Sequence, residues 1–494
     1  MLLDGTALSS SMVQRHRRNL MKRAMSRRNL WEATPKPVKA LLGAGLSALP
    51  VAMLLGRGFR KNVRFLSRAQ WWSAEEAREY QLRQLQAICR LAYGKTSYYR
   101  RAFAAVGFDP DRLAALDQLR RLPTIDKKTV GQHLEEMCAV DPASPKVDFV
   151  ATGGTSGEPL WFYLPASRSA VEYAYLTAGW ERVGYKVGMP MAVLRGRIVE
   201  PDADGLRHEH DRLLRHHHYS TFHMTEENMR RYIQHIAGIG PCFLHAYPSS
   251  ATALARFLRT ERLDAPANIR GVLLESEILY PQQKCLLEEI YGVPVFSSYG
   301  HSEKLVLAAH CEHSDDYHVW PTYGYFELLD EQGNPVTEPG QRGEIVGTGF
   351  INTVMPFIRY RTGDFATYVG DRCEACGREH TLIRDIHGHN IQEVLITAQG
   401  SEISWTSMNM HDETFANVRR FQFYQDEPGV AVLRIVPAPE FGERDARRIL
   451  ANLGTKLDGQ IRIQIELVES IRSTERGKAI YVDQRIPRES LTGA

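Results

Sequence analysis

Residues Phe149 to Leu164 read FVATGGTSGEPLWFYL. Glycine lets backbone N–H groups approach an anion closely, and threonine and serine hydroxyls add donors, so this composition suits a phosphate. It is not a P-loop, because Gly157 is followed by Glu158 and Pro159 rather than Lys and Ser or Thr. It is not a nucleophile elbow either, since no Gly-x-Ser-x-Gly frame surrounds Ser156. A glycine-rich turn without a ligand is the alternative, and the stretch alone does not decide. A second group is Cys311, His318, Cys373 and Cys376. A cysteine with a histidine seven residues on, plus a Cys-x-x-Cys, supplies four soft and borderline ligands. That set suits tetrahedral Zn²⁺ and leaves no position open for water, which makes the expected site structural. Free buried thiols are the alternative.

These residues need a scaffold, and 494 residues are enough for two or three domains around a large core. A formal net charge of +3 argues against nucleic acid as the main partner. The cysteine usage suggests a reducing compartment rather than a disulfide framework. Charge is uneven, with thirteen Lys/Arg in residues 1–64 against Asp4 and Glu32. The apolar run Leu41 to Gly56 has sixteen residues, short of the roughly 20 a membrane span needs. It lies too far from the start for a signal-peptide core. The segment either packs as a helical hairpin on the main domain or touches an anionic membrane surface; an organellar transit peptide ranks below both.

Along the chain, Ser73-Ala-Glu-Glu76 reads as a capping box, opening a helix with Leu82, Leu85, Cys89 and Ala92 on one face. Residues 165–290 alternate helical and strand patterns, as α/β domains do. The histidine-rich His208 to Tyr219 is read as a solvated surface segment rather than a metal site. From 323 the pattern turns to β, with hairpin turns at Gly333-Asn334 and Pro339-Gly340. Beyond about 390, two strand regions flank the helical ERDARRILANLGTKL, a small α+β domain.

Further motifs narrow the reading. SSYGHSE ends at Glu303, RYRTGD ends at Asp364, and STERGKAIYV contains Lys478. With the glycine stretch, their order and spacing resemble the adenylate-forming enzymes: acyl-CoA synthetases, adenylation domains and luciferases. The closer resemblance is to the phenylacetate–CoA ligase branch, and within it to the CapK-like, capsular-polysaccharide-associated subgroup. YGHSE, LAAHCE, YGYFELLD, EIVGTGFINTVMPFIRYRTGD, CEACGRE and LPTIDKKTV carry it, over about residues 60–486.

The resemblance implies an α/β fold, with a large multi-sheet N-terminal domain and a small mobile α+β C-terminal domain. The divisions are 1–64 (the basic segment), 65–388 (the adenylation domain, with the zinc site) and 389–494 (the small domain). It implies ATP and Mg²⁺, a carboxylic acid substrate, and CoA or another acyl acceptor. Thr152, Gly153, Gly154, Thr155, Ser156 and Gly157 are implied to hold the β- and γ-phosphates, with Thr155 also catalytic. Glu303 is implied as the Mg²⁺ ligand and Asp364 as acceptor of the ribose hydroxyls. Ser276 and Glu277 match the adenine segment, and Tyr299 and Gly300 flank the adenine and acyl pockets. Arg361 and His389 fall at nucleotide positions. Lys478 is implied to swing in and bridge the acyl carboxylate and the α-phosphate. HAYPSS and VLRGRI are expected to line the acid's pocket.

The pattern departs in three places. Leu160 stands where many relatives carry a phosphate-binding lysine, which the phenylacetate–CoA ligase branch also often lacks. At the domain junction, His389 stands at an arginine position and Gln392 at the pivot aspartate. An imidazole cannot replace a guanidinium fork, so this bears on thioester formation more than on adenylation. The expected function is ATP-dependent acyl-adenylate formation followed by acyl transfer, within cell-surface polysaccharide biosynthesis. A non-catalytic nucleotide-binding scaffold in membrane-associated glycan assembly is the alternative. The location is cytoplasmic, with peripheral contact at the inner membrane face if the basic segment binds lipid; an oligomer is left open.

Overall fold

The structure is a computed structural model that describes residues 49–151, 160–388, 394–404, 408, 413–415, 417–471 and 482–486. α1 (Gly56–Ala69) buries Phe59, Leu66 and Ala69. Phe59 and Leu66 pack with Tyr175, Trp320 and Tyr323 of the main body, and the helix runs through position 64. No helix among the described residues is long and apolar enough to cross a membrane. α2 (Ala74–Lys95) begins at the expected capping box. Ser73 Oγ accepts the Glu76 N–H at 3.2 Å, and the Glu76 carboxylate accepts the Ser73 N–H at 2.9 Å. Its apolar face buries Leu85, Ile88, Cys89 and Ala92, with Leu82 packed at the margin. Asp126 then caps the short α3 (Lys127–Gln132), its carboxylate accepting the Thr129 N–H at 2.8 Å.

β1 (Val147–Ala151) and β2 (Trp161–Pro165) pair antiparallel, with Ala151 opposite Trp161. Between them, the expected phosphate residues Thr152, Gly153, Gly154, Thr155, Ser156 and Gly157 lie outside the described residues.

The parallel part of the main sheet contains β3 (Met191–Leu194), β5 (His216–Tyr219), β6 (Cys242–Ala246), β7 (Ile269–Leu274) and β8 (Val295–Gly300). β4 (His208–Asp211) adds antiparallel to β5 at one edge. Every residue of β3 and β6 is buried, as a parallel sheet covered on both faces requires. Alternate residues serve opposite faces. Leu244 packs with Leu254 and Leu258 of α6 (Pro248–Thr260) and Leu287 of α7 (Pro281–Tyr291). Phe243 packs with Trp180 of α4 (Arg168–Trp180). α5 (Glu226–Ala237) lies with the first group through Tyr232 and Ile236.

Beyond β8 the sheet turns antiparallel, through β9 (Leu307–His310), β10 (Tyr317–Val319), β11 (Gly324–Leu329), β12 (Arg342–Gly349), β13 (Tyr360–Gly370) and β14 (Leu382–His387). Among the described residues, twelve strands form one sheet, in the order β11-β12-β13-β14-β10-β9-β8-β7-β6-β3-β5-β4. The expected turns between β11 and β12 are present, with Gly333 at φ +83° and Gly340 at φ +88°, conformations glycine adopts without strain.

The C-terminal part is a small α+β unit. β15 (Val394–Ile396) and β16 (Glu402–Ser404) form a ribbon. β17 (Val418–Glu427), β18 (Val430–Pro437), β19 (Arg462–Leu467) and β20 (Val482–Gln484) form a sheet in the order β19-β18-β17-β20. α8 (Glu443–Leu457) buries Ile449, Leu453 and Leu457 with Phe421 and Phe423 of β17. This unit sits on residues 220–224 of the large domain. Phe222 enters its core with Leu395 and Ile403. His223 Nε2 lies 2.9 Å from Asp458 Oδ2, and Ser401 Oγ donates to the Met224 carbonyl at 3.0 Å.

Candidate active site

The carboxyl ends of β3, β6, β7 and β8 open on one cavity of about 1520 Å³, closed on the far side by the start of β13 and the end of β14. A crevice at the carboxyl ends of parallel strands is where open α/β sheets bind ligands. Glu303 and Asp364, Ser276 and Glu277, Tyr299 and Gly300, and Arg361 all line it. His389 and Lys478 lie outside the described residues, as does Gln392.

Tyr299, at the end of β8, donates its hydroxyl hydrogen bond to Asp364 Oδ2 at 2.8 Å. Burial, then the neighbouring Asp364 charge, pushes the Tyr299 phenol well above its usual range, so it stays a donor. Asp364 lies within β13 beside a register shift against β12, where Gly363 has φ +76° and donates its N–H to Glu344 Oε1 at 3.1 Å. Glu344 also accepts the Arg361 Nε–H at 2.9 Å, which holds that guanidinium at the cavity wall. Two residues earlier, Arg359 has a different task. Its guanidinium is buried, with Nε and Nη2 each 3.0 Å from Glu327, and it ties the start of β13 to the Leu122 carbonyl. Ile125 also bridges to Tyr360. This pairing brings the LPTIDKKTV stretch, with Asp126, Lys127 and Lys128, to the cavity.

Glu303 is buried at 9% exposure beyond the end of β8. Burial raises its carboxyl above the usual range, against the opposing effects of Lys127, Lys304 and a hydrogen bond from Tyr360. A carboxylate in such a place is costly without a cation beside it. Ser276 adopts φ +72°, a strained conformation for a residue with a Cβ, and its Oγ accepts Arg195 Nη2 at 2.7 Å. Glu277 reaches the cavity wall, but its carboxylate accepts Ser249 N–H at 2.9 Å and Ser249 Oγ–H at 3.0 Å, at the start of α6. Its carboxylate therefore supports α6.

Three strand ends contribute a polar group to one cluster, with Arg195 in VLRGRI and His245 in HAYPSS joined by Glu275. His245 Nε2 is 2.5 Å from Glu275 Oε1, and Arg195 Nη1 is 3.4 Å from the same oxygen. Burial opposes ionisation of Glu275, yet Arg195 and His245 outweigh it and hold the carboxyl at about 2. Arg195 and Tyr247, from the stretches expected at the acid's pocket, both line the cavity. His245 interrupts the otherwise apolar β6, which was the available signal. Glu275→Gln should destabilise the protein by about 2–3 kcal/mol in urea melts, because it leaves two donors without their charge partner. A carboxyl depressed in the folded state stabilises above its unfolded pKa, ordinarily about 4.3, and loses that contribution as pH falls toward about 2. The variant should show a correspondingly shallower loss of stability over that acid range.

The second constellation also assembles. Cys311 follows β9, His318 lies on β10, and Cys373 and Cys376 occupy the β13–β14 connection. Their ligand atoms all lie within 4.8 Å of one another. Cys311 Sγ and Cys373 Sγ are 3.8 Å apart, and Cys376 Sγ is 3.7 Å from His318 Nε2. A tetrahedron with Zn–S bonds near 2.3 Å has S···S edges of about 3.8 Å, so the Cys311–Cys373 edge matches the spacing that ion would need. Gly377, at φ +79°, donates its N–H to the Cys373 carbonyl at 2.8 Å and closes the Cys-x-x-Cys turn.

Comparison with known proteins places the chain among similar sequences and folds. A family model described as the CapK C-terminal domain matches residues 395–485. The phenylacetate-coenzyme A ligase of Pseudomonas putida is 24% identical over 296 residues, covering 59% of this chain and 66% of that enzyme's length. Protein CapK of Staphylococcus aureus is 21% identical over 372 residues, 74% of this chain and 80% of CapK. Among solved structures, 2-hydroxyisobutyryl-CoA ligase in complex with 2-HIB-AMP and CoA, in its thioesterification state, matches with a TM-score of 0.56 at 20% identity. That match covers 86% of this chain and 93% of the other, and shows a shared fold.

Proposed function

We infer that this chain, an adenylate-forming protein of phenylacetate–CoA ligase- and CapK-like type, activates a carboxylic acid with ATP and passes the acyl group to CoA. The observation that carries this is the meeting of Glu303, Tyr299 and Asp364, from β8 and β13, in one cavity at the carboxyl end of the parallel strands. In the first step a carboxylate oxygen attacks the α-phosphorus and pyrophosphate leaves, giving an acyl-adenylate. In the second a thiolate attacks the acyl carbon and AMP leaves. Asp364 accepts a hydrogen bond from Tyr299, and its carboxylate would accept hydrogen bonds from the ribose hydroxyls. Glu303 would hold Mg²⁺, a hard cation that offsets the cost of its burial and neutralises phosphate charge. Arg361, fixed by Glu344, would contribute positive charge at the nucleotide. The Thr152–Gly157 stretch would hold the β- and γ-phosphates. The Cys311, His318, Cys373 and Cys376 cage would hold a structural Zn²⁺. ATP and CoA chemistry and the free cysteines fit a cytoplasmic setting. A place in cell-surface polysaccharide biosynthesis rests on the CapK-like resemblance.

The test is pyrophosphate release from ATP with a panel of carboxylic acids, followed by acyl-CoA formation. Glu303→Gln should raise the Mg²⁺ concentration needed for half-maximal rate by about tenfold, or about 1.4 kcal/mol. Substitution of Arg by His389 at the domain junction favours a second reading, a nucleotide-binding scaffold without catalysis. ATP binding with no pyrophosphate release from any acid would support that reading and sink the first.

A further inference from the structure

The histidine-rich segment expected at the solvated surface is a β-hairpin at the sheet edge. His208 stands opposite Tyr219 and His210 opposite His217 in the β4–β5 ladder. The two-residue period of a strand therefore puts His208, His210, His217 and Tyr219 on one face. α5 lies against that face and adds His235, whose ring centroid is 4.1 Å from that of His208 and 5.7 Å from that of His217. We propose that His208, His217 and His235 form a second metal site, for a borderline divalent cation such as Zn²⁺, bridging β4–β5 to α5.

One ligand nitrogen from each of the three lies within 4.8 Å of the other two, and His208 Nε2 is 3.0 Å from His217 Nδ1. Tetrahedral Zn–N bonds of about 2.0–2.1 Å give N···N edges near 3.3–3.4 Å. Small ring rotations would reach that geometry. The Tyr219 hydroxyl is 2.8 Å from His235 Nδ1, the kind of outer hydrogen bond that fixes the ring orientation of a metal-binding histidine. Asp202 places negative charge near both His208 and His235. All three histidines are half-buried, so a fourth coordination position can be filled by water. None of the three lines the large cavity, and the site is separate from the cysteine cage.

The position has a consequence for the fold. β5 ends at Tyr219 and α5 begins at Glu226, and the residues between them carry the contact with the small domain. A cation joining β5 to α5 braces that segment from both sides.

The full-length protein, equilibrated with Zn²⁺ and desalted, should carry about one more zinc per chain than the His208→Ala/His217→Ala variant. A Cys373→Ser background removes the contribution of the cysteine cage. As a measurement that does not depend on the variant folding, Cu²⁺ added to the zinc-treated wild type after chelation of weakly held metal should give an electron paramagnetic spectrum with imidazole-nitrogen splitting. His235→Gln should reduce the number of nitrogens coupled to the copper and leave acid-dependent pyrophosphate release unchanged. Zn²⁺ should also slow amide exchange across residues 220–224 in wild type and not in His235→Gln. Equal zinc in wild type and double variant, or a copper spectrum without nitrogen splitting, overturns the proposal.

Discussion

Lys478→Ala should lower the rate of acyl-adenylate formation by at least about a hundredfold while ATP affinity changes little. A hundredfold corresponds to about 2.7 kcal/mol of lost transition-state stabilisation. The reason lies in how the cavity's charges are used. Arg195 is held by Glu275, Lys284 by Asp315, Lys304 by Glu172, Arg361 by Glu344 and Arg384 by Asp316. These five cations are engaged with carboxylates before any substrate arrives, so they are poorly placed to meet charge that builds only during reaction; Lys127 and Lys128 of α3 also line the cavity. A lysine brought in by a second domain can meet that charge at the moment it forms. The small sheet offers such a mount: Val482, four residues beyond Lys478, pairs with Phe423 of β17. The measurement is pre-steady-state pyrophosphate release at saturating ATP, with ATP affinity read separately by equilibrium binding. Removing a group used only in the transition state lowers kcat without weakening ground-state binding. If ATP affinity collapses together with the rate, Lys478 holds the ground-state phosphate and this role is wrong.

What the sequence made legible was local or modular. The capping box of Ser73 and Glu76 needs only a spacing of three, and both of its hydrogen bonds form. The alternation of apolar helix and strand patterns implied the α/β sheet. The small α+β unit was equally clear, because its helix and strands each carry their own period. The motifs ending at Glu303 and Asp364 pointed to one site, and both residues line one cavity. Tertiary placement was harder. Glu277, in the segment matched to adenine binding, lines the cavity, and its carboxylate also engages Ser249, 28 residues earlier, because α6 starts beside the end of β7. Glu275 and His245 are 30 residues apart and meet only because neighbouring parallel strands end together. Arg359 and Arg361 sit two apart in RYRTGD, where strand alternation would give them one face. Arg359 instead has φ +53° and turns into the core, while Arg361 stays at the cavity. His235 was invisible as a partner of the histidine hairpin, since nothing in a linear reading places α5 across it.

Cys373→Ser should abolish stoichiometric zinc in the cysteine cage and lower stability by about 2–5 kcal/mol, the range for losing a cross-link between distant parts of a folded chain. A serine hydroxyl is a harder, far less acidic donor than a thiol, so the variant keeps only Cys311, His318 and Cys376 as competent ligands. The effect reaches beyond the cage because of what it joins. Cys311 and His318 flank the β9–β10 turn that follows the Glu303 loop, and Cys373 and Cys376 follow β13, which carries Asp364. Arg378, beside Cys376, extends the same junction. Its Nη1 donates to both carboxylate oxygens of Glu312 at 2.8 Å, and its guanidinium lies 4.2 Å over the Trp71 ring, next to the start of α2. At a structural site the free energy of metal binding is free energy of folding. Loss of the ion should therefore lower Tm by several degrees and raise the KM for ATP together with the Mg²⁺ requirement, as the segments carrying Glu303 and Asp364 loosen relative to each other. Metal analysis and a thermal melt of wild type before and after chelation supply the comparison. Zinc-free wild type that melts at the same temperature as the loaded protein would show that the cage is held by core packing alone and that the cysteines are buried thiols.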